Sequence, residues 1–314
     1  MKIYENLVFC GGGVRGSAYA GSVEVLEEQG LYGYVKRIGG TSTGAITAAV
    51  LASGGGSKGL RYTIENSNFH DFLSDSGGVV GELFRGAKNY GVHSGNEFEK
   101  ILQGYFERFS GNRNLTFQQL FEKSLVKPEL FKNLTIVASN LSRERAETFS
   151  VESHADLPIW KAVRASMSIP LVFEPMKIDD EFFVDGGLSW NYPVDLYDKI
   201  ASGEGEEISS VGRNTSTLGF YLQDHNSIRK NRPLESATQS INSLKDYALA
   251  IGNFFMETSN AKHIHSGDEM RTVFIDDLGV SSVDFSLSNE RIQALIKSGR
   301  NATEDFLKAK LTSS

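Results

Sequence analysis

Ser42 lies between two glycines, in residues 40–44, which read G-T-S-T-G. This G-x-S-x-G pattern is typical of a nucleophile elbow, a strained turn between a strand and a helix where glycines leave room beside the serine. The predicted strand 34–38 precedes the segment, and a run of small residues over 45–51 predicts a close-packed helix after it. We therefore predict that Ser42 is exposed at the carboxyl edge of a sheet and attacks an acyl carbonyl. The surrounding motif residues are Gly40, Thr41, Thr43 and Gly44.

A second glycine-rich element, residues 11–16, reads G-G-G-V-R-G. The apolar run 7–10 before it predicts a buried parallel strand, and residues 17–28 after it predict a helix that Gly30 ends. This order directs unpaired backbone N–H groups and the positive end of a helix dipole toward an anion. Either a nucleotide phosphate or the oxyanion of a tetrahedral acyl intermediate fits such a loop. The residues of the loop are Gly11, Gly12, Gly13, Val14, Arg15 and Gly16.

The phosphate interpretation rests on three of these glycines, which match the G-x-G-x-x-G pattern of dinucleotide-binding loops. Such a site also expects an acidic residue near the end of the next strand, where it binds the ribose. The predicted strand 34–38 instead runs into two glycines, and Arg37 is a poor substitute. No G-x-x-x-x-G-K-[ST] phosphate loop occurs in the sequence. The oxyanion interpretation is therefore favoured, with the N–H groups of the loop and of Thr43 as donors.

Residues 55–59, G-G-S-K-G, match the elbow pattern as well, around Ser57. This segment follows a predicted helix, however, and no apolar strand leads into it. We interpret it as the flexible turn that ends the helix 45–52. The context of the two serines therefore selects Ser42.

A serine nucleophile needs a general base. Asp185 is the most pointed candidate, because it ends the apolar run 181–185 and is followed by Gly186 and Gly187, which let another group come close. A turn aspartate that closes a hairpin is the alternative that the local pattern leaves open. An ordinary aspartate has a pKa of about 4, so catalysis requires burial beside Ser42 and a direct hydrogen bond. No histidine follows a recognisable strand-end turn, and we interpret all six as surface or loop residues: His70, His93, His154, His225, His263 and His265.

Taken together, these segments resemble the patatin-like phospholipase family. That family combines a G-G-G-x-[RK]-G oxyanion loop, a G-x-S-x-G nucleophile and a D-G-[GA] base in this chain order. Residues 162–170 also resemble its A-S-x-x-x-P stretch, and the likeness spans residues 5–200. The resemblance implies a Ser–Asp dyad, with Ser42 as nucleophile and Asp185 as proton acceptor. It also implies an α/β fold, a three-layer α/β/α sandwich with a mainly parallel central sheet and a helical insertion.

The resemblance implies a phospholipase A or lysophospholipase type of hydrolase, which acts on phospholipid or other acyl-ester lipid at a membrane surface. Family members are often dormant until a membrane or a protein activator orders a lid, and the glycine-rich stretch 74–95 is where we expect one. Acyl transfer to an acceptor other than water and a non-catalytic binding module are the alternatives. We expect a cytoplasmic protein peripheral to membranes; delivery into host cells, as for many bacterial members, is the other setting.

The length and composition limit the classes of protein to which the chain can belong. With 314 residues and 40% hydrophobic content, the chain is long enough for one α/β domain over residues 1–314. No stretch of eighteen apolar residues and no signal peptide occurs, and the single Cys10 argues against a disulfide framework. The net charge of −7 argues against a nucleic-acid partner. The basic run 229–232 is interpreted as a solvated loop.

We expect neither a cofactor nor a catalytic metal. The sequence has no Cys/His cluster for zinc, and the acidic residues 179–181 are interpreted as a solvated hairpin turn rather than a calcium site.

Residues 57–132 are predicted as the helical insertion, with a helix over 96–109 and a capping box at Thr116 and Gln119. Residues 205–314 are predicted to complete the fold. Further strands are predicted at 134–138, 148–151, 218–222 and 272–275, and helices near 234–258 and 289–310.

Overall fold

A computed structural model of the chain describes residues 2–66, 90–200, 211–225, 267–284 and 286–312, together with residues 241, 247, 250, 251 and 254. An eight-stranded sheet organises the fold. Its strands, in chain order, are β1 (Asn6–Phe9), β2 (Arg37–Thr41), β4 (Asn133–Asn140), β5 (Arg145–Phe149), β7 (Met176–Ile178), β8 (Glu181–Asp185), β11 (Thr217–Gln223) and β12 (Thr272–Asp276). Two short pairs lie outside it: β3 (Gly91–His93) with β6 (Leu171–Phe173), and β9 (Lys199–Ile200) with β10 (Val211–Gly212).

The strand order is β12-β11-β1-β2-β4-β8-β7, and β5 pairs with β4 as a branch. The first five strands of this order are parallel to one another, whereas β8, β7 and β5 are added antiparallel. β1 lies inside the sheet with all four residues buried, which explains the apolar run that follows Asn6. The structure therefore confirms the α/β class with a mainly parallel sheet.

The α-helices of the described residues pack on this sheet and on one another. They are α1 (Ala18–Glu28), α2 (Thr43–Ala52), α3 (Gly56–Asn66), α4 (Asn96–Ser110), α5 (Phe117–Val126), α6 (Val151–His154), α7 (Ile159–Ser166) and α8 (Asn289–Thr312). In the part of the chain described, no helix is long and apolar enough to cross a bilayer.

The core joins helices and sheet through aromatic and aliphatic side chains. Phe9 of β1 stacks on Phe220 of β11, with ring centroids 4.9 Å apart, and meets the edge of Tyr19 from α1 at 5.1 Å. The backbones of α1 and α8 touch, because a Cβ on Gly299 would overlap the carbonyl of Ala18. This contact holds the last described helix against the first one.

Several boundaries differ from the sequence predictions. The strand predicted over 34–38 begins only at Arg37, because residues 32–34 form a 3-10 turn. The strand predicted over 148–151 ends at Phe149, since the Ser150 hydroxyl accepts the N–H of Glu152 and starts α6. The turn predicted for residues 55–59 is wrong, because α3 begins at Gly56. There the Ser57 N–H donates to Glu27.

The described part of the range 57–132, which is predicted as a helical insertion, holds α4, α5 and nearly all of α3, and the predicted capping box of Thr116 and Gln119 is confirmed. It also contains β3, a strand that the sequence did not predict. The strands predicted at 134–138, 218–222 and 272–275 and the helix at 289–310 are confirmed within a few residues. The basic run 229–232 and nearly all of the predicted helix 234–258 lie outside the described residues, as does most of the glycine-rich stretch 74–95.

Candidate active site

Ser42 occupies the turn between β2 and α2, with backbone angles φ 55° and ψ −123°. A non-glycine residue rarely adopts a positive φ, so the turn is strained and aims the side chain away from both elements. The flanking glycines make this turn possible. A Cβ on Gly40 would overlap the carbonyl of Gly44, and a Cβ on Gly44 would overlap the carbonyl of Phe9. This is the elbow geometry that the sequence predicts. The predicted exposure of Ser42 is wrong, because Asp185, Ser166 and Met167 contact it and leave it 1% exposed.

Asp185 lies directly beside Ser42. The Ser42 Oγ donates a hydrogen bond of 2.7 Å to Asp185 Oδ2, and both residues are 1% exposed. The sheet register brings them together, because Thr41 pairs with Val137 on β4 and Asp185 pairs with the next β4 residue, Ala138. Asp185 ends β8, whereas the hairpin turn is formed by residues 179–180. The alternative of a simple turn aspartate therefore does not describe its position.

The surroundings of Asp185 fix its carboxylate and change its basicity. Its Oδ1 accepts the N–H of Gly187 at 2.7 Å, and its own N–H donates to the carbonyl of Ser168 at 2.8 Å. Burial raises the pKa of Asp185 from 3.8 to about 6, while the hydrogen bonds from Gly187 and Ser42 act in the opposite direction. Asp185 is therefore a stronger base than an exposed aspartate and is still mostly ionised at neutral pH. A Cβ on Gly186 would overlap the carbonyl of Val137, so Gly186 permits the close passage to β4.

Two residues that the sequence analysis did not assign also contact the nucleophile. The N–H of Ser42 donates to Ser166 Oγ at 2.8 Å, and Ser166 Oγ in turn donates to the carbonyl of Val137 at 2.6 Å. The Met167 Sδ lies 3.6 Å from Ser42 Oγ. Both belong to the stretch 162–170, whose likeness to the A-S-x-x-x-P pattern was the available signal. The stretch therefore supports the elbow from α7.

The glycine loop passes next to the nucleophile, since a Cβ on Gly11 would lie 3.1 Å from the Ser42 Cβ. Three of its N–H groups are already engaged. Gly11 donates to the Asn191 carbonyl at 3.1 Å, Val14 donates to Ser282 at 3.1 Å, and Arg15 donates to Gly12 at 3.3 Å.

The predicted oxyanion hole therefore includes too many residues. Among the described residues, the N–H groups of Gly12 and Gly13 meet no acceptor, and neither does that of Thr43 at the start of α2. Gly13 has φ 57°, and a Cβ there would lie 1.9 Å from the carbonyl oxygen of Ser282. Only glycine fits this position, so the loop can pass directly against Ser282.

Arg15 supports the glycine loop through its side chain and offers no free N–H group to an oxyanion. The guanidinium is buried, and its Nε donates to the carbonyl of Gly12 at 3.1 Å, as expected for a residue that braces the loop. Gly16 lets the loop meet the elbow, because a Cβ on it would overlap the hydroxyl of Thr43. The two glycine motifs thus pack directly against each other.

The side chain that accepts the hydrogen bond of the Ser42 hydroxyl is Asp185 and not a histidine. His225 Nδ1 pairs with Asp276 at 2.8 Å, and His154 packs against Phe149. The interpretation of His93 as a surface or loop residue is wrong, because it lies buried in β3 near Phe173. His70, His263 and His265 lie outside the described residues. Within the described ranges, no group of three His, Cys, Asp or Glu side chains is arranged to hold a metal ion.

A narrow cavity opens beside the elbow, between α2, α3 and α4, and reaches Thr43 and Gly16. Apolar side chains dominate its walls. The hydroxyls of Thr47 and Thr63 donate to carbonyls one turn earlier in their own helices, so they present little free polarity to the cavity. The apolar wall residues are Ala20, Ile46, Leu60, Ile64, Phe98 and Tyr105.

An exposed apolar patch lies beyond Asp185 on the carboxyl side of β4. Phe183 pairs with Asn140 at the end of β4, so the β7–β8 hairpin extends past the dyad. Around this hairpin a groove is lined by exposed apolar side chains. They are Tyr90 (66% exposed), Leu141 (46%), Leu171 (45%) and Phe182 (38%).

The chain is similar to known proteins along most of its length. A protein-family model described as patatin-like phospholipase matches residues 7–197. The uncharacterized protein YqhO of Bacillus subtilis (strain 168) is 30% identical over 98% of this chain and 99% of its own length. A probable lipid hydrolase, 463L of Invertebrate iridescent virus 6, is 26% identical over 62% of this chain and 63% of its own. Among solved structures, VipD from Legionella pneumophila shares the fold with a TM-score of 0.61. It is 18% identical, and the superposition covers 98% of this chain and 67% of VipD.

Proposed function

The chain belongs to the patatin-like phospholipase family, and from this premise we propose that it hydrolyses fatty-acyl esters of phospholipids or related lipids through Ser42 and Asp185. The observation that carries the proposal is the 2.7 Å hydrogen bond between Ser42 Oγ and Asp185 Oδ2, made at a strained elbow. A serine hydroxyl is a weak nucleophile unless a base takes its proton, and the Asp185 carboxylate already accepts the hydrogen bond of this hydroxyl.

In the first half of the reaction, Ser42 Oγ attacks the ester carbonyl carbon while Asp185 accepts the hydroxyl proton. The carbonyl oxygen becomes an oxyanion that the N–H groups of Gly12, Gly13 and Thr43 can stabilise. The ester C–O bond then breaks, and Asp185 returns the proton to the departing alcohol of the lipid. The acyl group remains on Ser42.

In the second half, water replaces the alcohol. Asp185 accepts a proton from the water as its oxygen attacks the acyl carbon, and the same N–H groups receive the oxyanion. The bond from Ser42 Oγ to the acyl carbon breaks, and Ser42 regains its proton from Asp185. A fatty acid leaves and the dyad is restored. Throughout the cycle, the pKa of about 6 suits a group that must both take and return a proton near neutral pH.

The apolar cavity beside Thr43 supports an acyl substrate. It begins one residue from the nucleophile, so the first carbons of a fatty-acyl chain could enter it while the ester carbonyl faces the oxyanion donors. The exposed apolar patch around Leu171 and Phe182 supports contact with a lipid surface, because it lies on the side toward which the dyad is placed. We propose on this basis that the protein acts peripherally on membranes. A protein activator belongs to the same proposal and rests on the family resemblance.

The test compares Ser42→Ala with Ser57→Ala on a p-nitrophenyl acyl ester and on phospholipid vesicles. Ser57 stands in the second G-x-S-x-G match but lies in α3, so its replacement is a control matched in motif. We expect turnover and fluorophosphonate labelling to disappear in Ser42→Ala and to persist in Ser57→Ala. Parent-like turnover by Ser42→Ala would end the proposal. Analysis of the products in the presence of lysolipid or glycerol distinguishes hydrolysis from acyl transfer.

A further inference from the structure

Arg15 joins the glycine loop to a part of the chain that lies more than two hundred residues later. Its Nε donates to the Gly12 carbonyl at 3.1 Å, and its Nη1 donates to Asp277 Oδ2 at 2.9 Å. The exposed fractions of the two side chains are 5% for Arg15 and 3% for Asp277. The planar guanidinium therefore binds the loop and the carboxylate at the same time, and the position of one depends on the other.

Asp277 is itself fixed from two sides. Its Oδ1 accepts the N–H of Gly279 at 2.9 Å and the N–H of His225 at 3.0 Å. Its own N–H donates to the carbonyl of Gln223, at the end of β11, at 3.1 Å. The carboxylate is thus tied to the ends of β11 and β12 and holds its place in the buried ion pair.

A second contact comes from the same connection between β12 and α8. The N–H of Val14 donates to the carbonyl of Ser282, and Gly13 leaves no room for a side chain against that carbonyl. The loop is therefore held at Arg15 by Asp277 and at Val14 by Ser282. Gly12 and Gly13, whose N–H groups are the proposed oxyanion donors, lie next to these contacts.

We infer that Asp277 is a positioning residue for the oxyanion hole, which it orients through Arg15 and Gly12. The inference rests on the proposed function. Residues 277–282 lie outside the range 7–197 that the family model matches, and none of the three sequence motifs includes them. A buried guanidinium that loses its counter-charge is strongly destabilised and tends to move toward water. The Gly12 carbonyl would then lose the guanidinium and keep only the 3.3 Å bond from the Arg15 N–H, and the neighbouring N–H groups would be aimed less well at the oxyanion.

The first experiment measures kcat and KM of Asp277→Asn on a p-nitrophenyl ester. Asparagine keeps an oxygen for the N–H groups of Gly279 and His225 but removes the charge that faces Arg15. A displacement of about 1 Å in a catalytic group costs up to ~10²-fold, so we expect kcat to fall by roughly 10- to 100-fold with KM unchanged. Asp276→Asn is the control, because Asp276 is the neighbouring carboxylate and pairs with His225 rather than with Arg15. Parent-like kcat in Asp277→Asn would overturn the inference.

The second experiment asks whether Asp277 acts through Arg15. If it does, Asp277→Asn should cause no further loss in an Arg15→Gln background, because the side chain it orients is already absent. Losses in kcat that multiply in the double variant would overturn the inference. Partial unfolding of the variants would also make the losses in kcat multiply. Circular dichroism of each variant therefore shows whether it is folded.

If Asp277→Asn fails to fold, Arg15→Lys replaces it. Lysine keeps a positive charge for Asp277 but lacks the fork that reaches the Gly12 carbonyl at the same time. We expect kcat to fall while the thermal midpoint stays close to that of the parent; unchanged kcat would contradict the positioning role. Failure of the proposed function is a separate result, since the parent itself would then show no turnover that depends on Ser42.

Discussion

Replacing Asp185 with asparagine should remove activity and at the same time stabilise the protein. Burial raises the pKa of Asp185 from 3.8 to about 6, a difference that corresponds to ~3 kcal/mol. Between these two pH values the folded protein still holds a proton that the unfolded chain has released. The contribution of Asp185 to the free energy of unfolding is therefore full below pH 3.8 and is lost as the pH rises through about 6.

Asparagine cannot ionise, so Asp185→Asn avoids this loss. Its amide oxygen can accept the N–H of Gly187, and its NH₂ group can donate to Ser42 Oγ, which keeps the two hydrogen-bonded positions filled. At about pH 7.5 we expect the variant to exceed the parent in free energy of unfolding by as much as ~3 kcal/mol. The difference should shrink steadily as the pH is lowered toward 4.

Urea denaturation followed by circular dichroism at several pH values measures this difference directly. Asp284→Asn removes an exposed carboxylate and is the control for a general effect of charge. In the same pH range, kcat/KM of the parent should fall about tenfold per pH unit below about 6, because the base becomes protonated. A variant that is less stable than the parent at every pH by the same amount would refute the assignment of a buried, ionised Asp185. Retained turnover would refute its role as the base.

Three further predictions concern the loop, metals and a helix end. Gly13→Ala should lower kcat by about 10²–10³-fold, because a methyl group would collide with Ser282 and displace an oxyanion donor; a parent-like rate would exclude Gly13 from the oxyanion hole. Turnover of a neutral soluble ester should survive EDTA, since Ser42, Asp185 and the N–H donors leave no catalytic role for a cation. Turnover that stops in EDTA and returns when calcium is added would contradict this prediction. Thr116→Ala should lower the free energy of unfolding by ~1 kcal/mol through loss of the α5 cap and leave kcat unchanged, as thermal denaturation and ester kinetics would show.

The sequence indicated Ser42 and Asp185 as candidates because the constraints on each residue are local. An elbow needs glycines at fixed distances from its serine, and residues 40–44 display that requirement without reference to the rest of the chain. The same holds for the capping box at Thr116 and for the strand that ends at Asp185. What the sequence could not supply is the pairing register that places Asp185 beside Ser42; there the family resemblance supplied the connection.

The oxyanion donors were predicted less well, because their availability depends on distant residues. Which N–H groups of the loop are engaged is decided by the carbonyls of Asn191 and Ser282, and neither has a recognisable motif. The ion pair of Arg15 with Asp277 could not be predicted for the same reason. The error at residues 55–59 has a different origin: glycines predict a turn, but the acceptor that Glu27 offers to Ser57 favours the start of a helix there.

The position of β1 between β2 and β11 has a consequence for biosynthesis. Asn6 meets Arg37 of β2 after 31 residues, but its other neighbour, Thr217 of β11, lies 211 residues along the chain. At ~5–20 residues per second, a ribosome reaches that strand roughly 10–40 s after completing β1. During this interval one edge of an apolar strand has no partner, and such edges readily pair with other chains. The nascent protein therefore carries its oxyanion loop on an unfinished sheet and depends on protection from aggregation until the second half of the chain has emerged.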